Sequence, residues 1–340
     1  MRALVCHAYG PIDSLKVEDI PQPVPKAGEV LVRVRAAGVS FAAMLGVQGK
    51  HQNKPPMPYV PGNELAGHVV ALGEGVTNVA VGDRVATGVS QGAFAEYATA
   101  AAANLVPIPE IMPYAEATNF PTLYPTAYGA LKWKADMQPG EVLLVHGAGG
   151  GSGLTAIEVG KAMGAVVIAS AGGADKLKAA REAGADHLID YRSEDLRTRV
   201  LEITGGRGAD VIYDPVGGSA FDASLRCVAP EGRLIPMGFA SGTVPQIPAN
   251  ILLVKNVTVI GFYYGYWNGW GGKTAPSPKE AASLIQRRAM VADAQKVLTR
   301  WFSEGKLKAT VAATYDLGDW VKAFRLIEER TVVGKAVLVP

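Results

Sequence analysis

Short apolar runs alternate with segments of helical spacing through the middle of the chain, from about residue 121 to 264. Apolar runs bounded by turn residues predict buried strands, and apolar positions three and four apart predict helices. The predicted strands cover residues 142–146, 166–170, 187–190, 210–213, 232–236 and 257–262, and the predicted helices cover residues 153–163, 175–183, 194–204 and 219–228. This alternation predicts an α/β fold with a doubly wound parallel sheet.

The first 120 residues follow a different pattern. In Glu29–Ala36, valines alternate with a leucine and two arginines, and similar short runs cover Leu65–Leu72, Asp83–Ala86 and Phe94–Thr99. Glycine and proline turns separate these runs, which predicts an irregular β-barrel.

The pattern changes again after about residue 264. Helical stretches near 279–290 and 292–304 precede further strands, and the tail Gly334–Pro340 is typical of a strand that returns to the first domain. We therefore predict a β domain of residues 1–120 and 265–340, with a nucleotide-binding domain of residues 121–264 inserted in it. Such an insertion favours a ligand cleft between the two domains.

The segment Glu141–Gly164, EVLLVHGAGGGSGLTAIEVGKAMG, joins a predicted strand to a predicted helix through a glycine-rich turn. Its register, Ala148-x-Gly150-x-x-Gly153, is a variant of the dinucleotide-binding fingerprint. Glycines allow backbone amides to approach a pyrophosphate, and a helix N-terminus offers unpaired N–H groups. The alternative is a glycine turn without a ligand.

The end of the next predicted strand, Val166–Ser170, bears on the choice of cofactor. Sites specific for NAD usually have an acidic residue here that binds the ribose 2′-hydroxyl. This chain continues Ser170-Ala171-Gly172-Gly173-Ala174, followed by Asp175 and Lys176. The missing acid and the nearby lysine favour NADPH over NADH, although Asp175 does not fit this interpretation. Lys176 is alternatively a solvated residue on the first turn of a helix.

Composition restricts the class of protein. The chain has 340 residues, 49% hydrophobic and 19% charged, with a formal net charge of +2, which gives no support to nucleic-acid binding. Its two cysteines, Cys6 and Cys227, exclude a disulfide framework. The N-terminal segment lacks a long apolar run, and no stretch of about 18 apolar residues occurs, so we expect a cytoplasmic protein.

Several motifs, in order, resemble those of the zinc-independent quinone oxidoreductases of the medium-chain dehydrogenase/reductase superfamily. They include VPGNELAGHVVALGEGV at Val60–Val76, VGDRV at Val81–Val85, QGAFAEY at Gln91–Tyr97, PTAYGAL at Pro125–Leu131, GADHLIDY at Gly184–Tyr191, DPVGG at Asp214–Gly218, GFASG at Gly238–Gly242 and LLVKNVTVIGFYYG at Leu252–Gly265. The resemblance implies a GroES-like catalytic domain and a Rossmann domain. It also implies NADPH-driven hydride transfer to quinones or α,β-unsaturated carbonyls, and a homodimer formed through the last Rossmann strand.

The resemblance also bears on metal binding. Zinc-dependent relatives have a cysteine and a Gly-His-Glu motif, where this chain has Ser40 and Gly62-Asn63-Glu64. Catalytic zinc needs three protein ligands of the Cys, His or carboxylate type. The five histidines are scattered singly along the chain. We therefore expect no metal.

The site residues carried over from the family fall into groups by expected position. Ser40 and Thr126 are expected beside the nicotinamide, together with Phe239, Ser241, Phe262 and Tyr264. Gly150, Gly151, Ser152 and Gly153 are expected to bind the pyrophosphate, and Ser170, Lys176 and Tyr191 the 2′-phosphate, with Arg330 as a further phosphate candidate. The predicted catalytic side chains are Ser40, His51, Thr126 and Tyr264.

Two positions depart from the family pattern. Ala43 stands where relatives often have Asp, and His51 where they often have Tyr. His51 is either a proton donor near the nicotinamide or a solvent-facing loop residue. The aromatic cluster Tyr263, Tyr264, Tyr266, Trp267 and Trp270 either lines the acceptor cleft or packs at an interdomain or dimer surface.

Three functions remain open from the sequence. The first is reduction of small quinones by NADPH, and the second is reduction of activated C=C bonds in enals or enones. The third is a structural or sensing protein that binds NADPH with little turnover.

Overall fold

The computed structural model describes residues 1–51, 54–269 and 277–340. The chain forms two compact units, one of Met1–Thr122 with Ala309–Pro340 and the other of Leu123–Lys308. Within the described ranges, no helix has the length and apolar character needed to cross a membrane.

The strands, in chain order, are β1 (Arg2–Val5), β2 (Lys16–Asp19), β3 (Glu29–Val39), β4 (Glu64–Leu72), β5 (Arg84–Gly88), β6 (Tyr97–Ala101), β7 (Val106–Pro107), β8 (Val142–His146), β9 (Val166–Ala171), β10 (His187–Asp190), β11 (Ala209–Asp214), β12 (Val228–Pro236), β13 (Thr258–Val259), β14 (Val311–Asp316) and β15 (Lys335–Val339). The α-helices are α1 (Phe41–Val47), α2 (Tyr114–Ala117), α3 (Leu123–Tyr128), α4 (Gly151–Ala162), α5 (Ala174–Glu182), α6 (Leu196–Ile203), α7 (Ser219–Cys227), α8 (Ala249–Lys255), α9 (Tyr264–Trp267), α10 (Pro278–Ser303) and α11 (Trp320–Glu328). A π-helical turn, Gly129–Lys134, continues α3.

The first unit is built on a mixed β-sheet with the order β14-β15-β3-β4-β5-β7, and β6 also pairs with β3. The alternation along β3 decides which side chains enter the core: Val30, Val32 and Val34 are buried, whereas Arg33 and Arg35 are exposed. The C-terminal strand β15 pairs antiparallel with β3. The run predicted as a strand from Phe94 becomes regular only at Tyr97.

The second unit contains a parallel six-stranded sheet with the order β10-β9-β8-β11-β12-β13. The chain winds outward from β8 in one direction and from β11 in the other, which confirms the predicted doubly wound α/β fold. The sixth strand is shorter than predicted, because only Thr258 and Val259 pair regularly before the chain turns toward α9. The carboxyl ends of β8 and β11 form the point where the strand order reverses.

Residues 265–308 belong to the second compact unit, whereas the sequence pattern assigned them to the first domain. The two predicted helical stretches form a single helix, α10. A capping box between Ser277 and Glu280 begins it, and no glycine or proline interrupts it after Pro278. Its buried residues Val291, Ala294 and Leu298 recur at helical spacing, and the helix packs on α3 and α9. This packing, which periodicity alone does not reveal, decides where the segment belongs.

The strand β8 ends in a buried histidine. His146 Nε2 lies 2.7 Å from Ser224 Oγ on α7, and Ser224 Oγ donates to the carbonyl of Ala220 at 2.8 Å. The imidazole therefore carries its proton on Nε2 and donates it to Ser224. Burial lowers the pKa of His146, although the charge of Asp214 acts in the opposite direction.

We expect the protein to lose stability as the pH falls below 6.5, the ordinary pKa of histidine, at which His146 titrates in the unfolded chain. The folded state resists this protonation, so the unfolded state binds more protons and acid favours unfolding. His146→Gln should weaken the pH dependence of the free energy of unfolding at pH values above the range in which carboxylates titrate. Urea unfolding at several pH values measures it.

The matched control is His187→Gln, which removes an exposed histidine on β10. An exposed side chain changes its surroundings little on folding, so this variant should change the slope less than His146→Gln does. Some dependence should survive in both variants, because the pKa of His68 is also lowered by burial and by Arg35 and Arg33. An unchanged slope in His146→Gln would show that His146 does not contribute.

Candidate cofactor-binding site

The glycine turn after β8 leads directly into α4. Gly147 has a left-handed φ of +57°, and Gly150 is the N-cap of the helix. Leu154 N donates to the Gly150 carbonyl at 2.9 Å, and the amides of Gly151, Ser152 and Gly153 precede this bond. Amides in the first turn have no partner within their helix. They are therefore suited to bind an anion.

Gly153 lets the helix lie close to the turn. A Cβ at Gly153 would lie 2.3 Å from the carbonyl oxygen of Gly147, and any side chain would force the two segments apart. Among the described residues, a Cβ at Gly150 would have that same oxygen, at 3.6 Å, as its one neighbour within 4 Å, so these residues leave the space at Gly150 open. Gly153 is thus needed for close packing of the helix on the turn, and Gly150 leaves room for a ligand.

The loop after β11 lies beside the glycine turn. A Cβ at Gly147 would lie 3.2 Å from Val216 Cγ2. Asp214 Oδ1 accepts hydrogen bonds from the amides of Val216 (2.8 Å) and Gly217 (3.0 Å), which fixes the course of this loop. The two segments meet where the strand order reverses, the usual position of a ligand in a doubly wound sheet.

The loop that carries Phe239 and Ser241 packs against the same edge. The amides of Ala240 and Ser241 donate to the carbonyls of Pro215 (3.1 Å) and Val216 (3.0 Å). The Phe239 side chain is 44% exposed, and Ser241 Oγ accepts from the amide of Thr243 at 3.2 Å. The structure therefore brings these two predicted residues to the end of the sheet that holds the glycine turn.

The residues predicted for the 2′-phosphate lie around the end of β9. Ser170 is buried at the strand end, opposite His146 in the sheet register. The Lys176 side chain crosses Gly149, where a Cβ would lie 2.5 Å from Lys176 Cβ. The Tyr191 hydroxyl would lie 2.7 Å from a Cβ at Gly172. Tyr191 thus approaches the β9–α5 loop, Lys176 lies against the glycine turn, and Ser170 precedes the loop at the end of β9.

Arg192 is a further residue at this loop that the sequence reasoning missed. Its Nε would lie 2.7 Å from a Cβ at Gly172, and one terminal nitrogen would lie 3.0 Å from a Cβ at Gly173. The guanidinium therefore covers the two glycines that stand where NAD-specific sites have an acid. Its position directly after Tyr191 was the signal available in the sequence. Asp175 is exposed on the first turn of α5.

Thr126 and Phe262 are placed by packing within the second unit. Thr126 is half-buried on α3, which packs on α4. Phe262 lies against the π-helical turn that continues α3, where a Cβ at Gly129 would lie 2.6 Å from Phe262 Cζ. A π-helical turn frequently marks a functional site.

The predicted aromatic cluster divides into packed and exposed residues. Trp267 stacks on Trp133 with ring centroids 4.5 Å apart and 10° between the ring planes. Tyr263 and Tyr266 are more than half exposed, and the Arg287 guanidinium lies 4.2 Å from the centroid of the Tyr266 ring. Trp270 lies outside the described residues.

Tyr264 lies in the interior of the second unit. Its side chain is 4% exposed and hydrogen-bonds Asn268 and Gln295, and burial raises its pKa to about 12. Gln295 is on α10, so Tyr264 helps to hold α9 against α10. The Tyr264 hydroxyl is thus engaged by two side chains of its own unit, and at this pKa it is a poor proton donor near neutral pH.

Three predicted residues belong to the first unit. Ser40 is the N-cap of α1, and its Oγ accepts from the amide of Ala43 at 3.1 Å, which leaves its own O–H as a donor. His51 follows the helix, and its amide donates to the Leu45 carbonyl at 3.1 Å. They stand on either side of a helix of about 10 Å. Arg330 follows α11 in a left-handed conformation (φ 57°).

The residues at the zinc-ligand positions of relatives are engaged in other ways. Glu64 forms a buried ion pair with Lys335, whose Nζ also donates to the Thr118 carbonyl at 3.0 Å. Asn63 Nδ2 donates to the Ser90 carbonyl at 2.7 Å. The Ser40 hydroxyl, the Asn63 amide and the Glu64 carboxylate, which is paired with a lysine, do not fit a catalytic zinc site. Across the described part of the chain, no group of three potential metal ligands is found.

Comparison with protein families agrees with this architecture. The family described as "Alcohol dehydrogenase GroES-like domain" matches residues 26–110. The family described as "Zinc-binding dehydrogenase" matches residues 151–275. The two matches fall in the first and the second compact unit, respectively.

Individual relatives match over almost the entire chain. Quinone oxidoreductase-like protein 2 homolog of Nematostella vectensis is 36% identical over 99% of this chain and 88% of its own length. Synaptic vesicle membrane protein VAT-1 homolog of Homo sapiens is 31% identical over 100% of this chain and 86% of its own length. The crystal structure of Escherichia coli quinone oxidoreductase complexed with NADPH superposes on this chain with a TM-score of 0.87. The two sequences are 29% identical, and the match covers 100% of each chain. Because identity, coverage and fold agree, the chain belongs to the quinone oxidoreductase-like proteins of the medium-chain dehydrogenase/reductase superfamily.

Proposed function

We propose that this protein is a metal-free NADPH:quinone oxidoreductase. The observation that carries the proposal is the Arg192 guanidinium and the Tyr191 hydroxyl beside Gly172, with Lys176 against Gly149 and no acid at the end of β9, in a chain of this family. When bound, NADPH supplies the hydride. The structurally similar E. coli enzyme is described as a complex with NADPH.

The second unit offers separate groups for each part of the cofactor. The first-turn amides of α4 suit the pyrophosphate. Lys176 and Arg192 suit the 2′-phosphate, because both are cationic, Arg192 lies beside Gly172 and Gly173, and Lys176 lies in the first turn of the helix that follows them and against Gly149. Phe239, Ser241, Phe262 and Thr126 are proposed for the nicotinamide end, and Tyr264 is left to support α9 from within.

A quinone acceptor is favoured by the aromatic side chains available. The exposed face of Phe239 and the ring of Tyr263, which is 57% exposed, suit a flat apolar molecule. As the acceptor gains charge, the O–H of Ser40 is proposed to donate to the developing oxyanion. His51 is proposed as a proton donor.

The acceptor is tested by mixing the NADPH-loaded protein anaerobically with quinones, enals and enones of similar size and following NADPH oxidation. We expect the quinones to react at least about tenfold faster, and a chelator to have no effect. Faster oxidation by enones would favour the C=C reductase. No oxidation by any acceptor would favour a binding protein with little turnover, and loss of activity that zinc restores would refute the metal-free proposal.

His51 variants in the same assay separate the proton step from hydride transfer. His51→Ala should lower the rate with an enone by roughly 10²-fold, the range of general acid catalysis. The effect with a quinone should be small, because a hydroquinone anion takes its proton from water. His51→Tyr, the residue common in relatives, should retain activity with both acceptors.

The NADPH selectivity is tested by removing each cation. Lys176→Ala and Arg192→Ala should each raise the Kd for NADPH by roughly ten- to a hundredfold, because each loses a charge-assisted hydrogen bond to the 2′-phosphate. The Kd for NADH should change little. Fluorescence titration with both cofactors measures this.

Lys178→Ala is the matched control, because Lys178 is an exposed lysine on the same helix as Lys176. Its Nζ lies 4.0 Å from Glu182 Oε1. It should leave both affinities unchanged. Equal affinity of the unmodified protein for NADPH and NADH, or a parallel loss of both in Lys176→Ala, would contradict the proposed 2′-phosphate site.

We further propose a homodimer formed through β13. This strand lies at the edge of the sheet, and an unpaired edge favours association. The adjacent segment exposes Val244, Ile247, Leu253 and Val254, and α8 contains no buried residue. Such a concentration of exposed apolar side chains is typical of an interface.

Leu253→Lys combined with Val254→Glu should convert the dimer to a monomer, because both side chains are 77% exposed in the single chain and would meet at the interface. Sedimentation analysis measures the oligomeric state. Ile285→Lys alters a side chain of similar exposure on α10 and should leave the dimer intact. A monomeric unmodified protein would contradict the proposal.

A cytoplasmic location is proposed from the cysteines. Both Cys6 and Cys227 are buried and free. Free thiols are typical of a reducing compartment.

A further inference from the structure

Tyr213 lies on β11, between Val145 of β8 and Ile235 of β12 in the sheet register. Its side chain is fully buried, and its hydroxyl lies 2.9 Å from Ser152 Oγ. Ser152 is the second residue of α4, where the helix N-terminus follows the glycine turn. The hydrogen bond therefore joins the sheet to the turn where a pyrophosphate is expected.

The surroundings of Tyr213 decide whether the Tyr213 or the Ser152 hydroxyl donates in this hydrogen bond. Among the described residues, Ser152 Oγ is the hydrogen-bond partner of the Tyr213 hydroxyl, and no second acceptor is present there. A buried donor without an acceptor is costly. Tyr213 therefore donates its proton to Ser152 Oγ.

The proton of Tyr213 stays in place at neutral pH. Burial raises the pKa of Tyr213 to about 12, while the hydrogen bond with Ser152 acts in the opposite direction. Tyr213 is thus a fixed donor over the range in which an enzyme works, and Ser152 Oγ is a fixed acceptor. The hydrogen of Ser152 is then left to point away from Tyr213.

Ser152 is half-buried, so its hydroxyl keeps access to the outer side of the turn. An anion at the helix N-terminus would meet the Ser152 O–H together with the first-turn amides. A hydroxyl that accepts one hydrogen bond becomes a better donor in the next, because the two bonds polarise each other.

We propose that Tyr213 is a positioning residue for the cofactor's pyrophosphate, which orients the Ser152 hydroxyl so that it donates to a phosphate oxygen. This role is independent of the quinone acceptor and rests only on the binding of a dinucleotide. Tyr213 acts through Ser152 and does not itself contact the ligand.

The test is cofactor titration in the absence of any acceptor, so a wrong acceptor does not affect it. Tyr213→Phe should raise the Kd for NADPH and for NADH by the same factor, roughly three- to tenfold, because both contain the pyrophosphate. The probe adenosine 2′-monophosphate, which lacks the pyrophosphate, should bind Tyr213→Phe as it binds the unmodified protein. In turnover, the loss should appear mainly in the KM for NADPH rather than in kcat.

A double-mutant cycle distinguishes positioning from general loosening of the sheet. Ser152→Ala should weaken NADPH binding by at least as much as Tyr213→Phe, and adding Tyr213→Phe to Ser152→Ala should cause no further loss. Additive losses, or weaker binding of adenosine 2′-monophosphate in Tyr213→Phe, would overturn the proposal. Unchanged NADPH affinity in Tyr213→Phe would overturn it as well.

Tyr97→Phe is the matched control, because Tyr97 is a half-buried tyrosine on β6 of the other unit. It removes the same hydroxyl from a strand outside the nucleotide fold and should leave both cofactor affinities unchanged. A loss equal to that of Tyr213→Phe would show that the effect is not specific to the glycine turn.

Discussion

The close approach of α4 to the glycine turn is the constraint on which the candidate site depends. The carbonyl of Gly147 occupies the space where a side chain of residue 153 would begin, at 2.3 Å from an ideal Cβ. This contact sets the direction of the helix, so the first-turn amides lie at the carboxyl end of β8. The loops after β11 and β12 then pack against each other through backbone hydrogen bonds, and the Val216 side chain lies beside Gly147 of the turn.

Charge is distributed differently in the two units. In the second unit, the Arg192 guanidinium lies beside Gly172 and Gly173 of the β9–α5 loop, and Lys176 lies against Gly149 of the glycine turn. In the first unit, the buried carboxylate of Glu64 is already neutralised by Lys335. A buried charge is costly unless it is paired, so Glu64 and Lys335 are expected to depend on each other. Arg192, in contrast, is exposed.

The residues proposed to bind the cofactor or the acceptor are held in place by other residues that do not contact a ligand. Tyr264 holds α9 against α10, and Tyr213 holds Ser152 at the glycine turn. Both hydroxyls are buried, and for both burial raises the pKa to about 12. These two buried hydroxyls therefore serve as stable hydrogen-bonding groups, whereas Tyr263 and Tyr191 are exposed and able to meet a ligand.

The sequence by itself determined the order of strands and helices in the nucleotide fold, the glycine turn and the missing acid after β9. These features follow from periodicity and from turn residues that act within a few positions of one another. Only the tertiary structure decided that α10 belongs with the second unit, that Tyr264 points inward, that Arg192 covers Gly172 and that Tyr213 reaches Ser152. Each of these depends on contacts between segments distant in sequence, 61 positions apart for Tyr213 and Ser152. Local patterns carry no information on such contacts, because the packing of whole elements creates them.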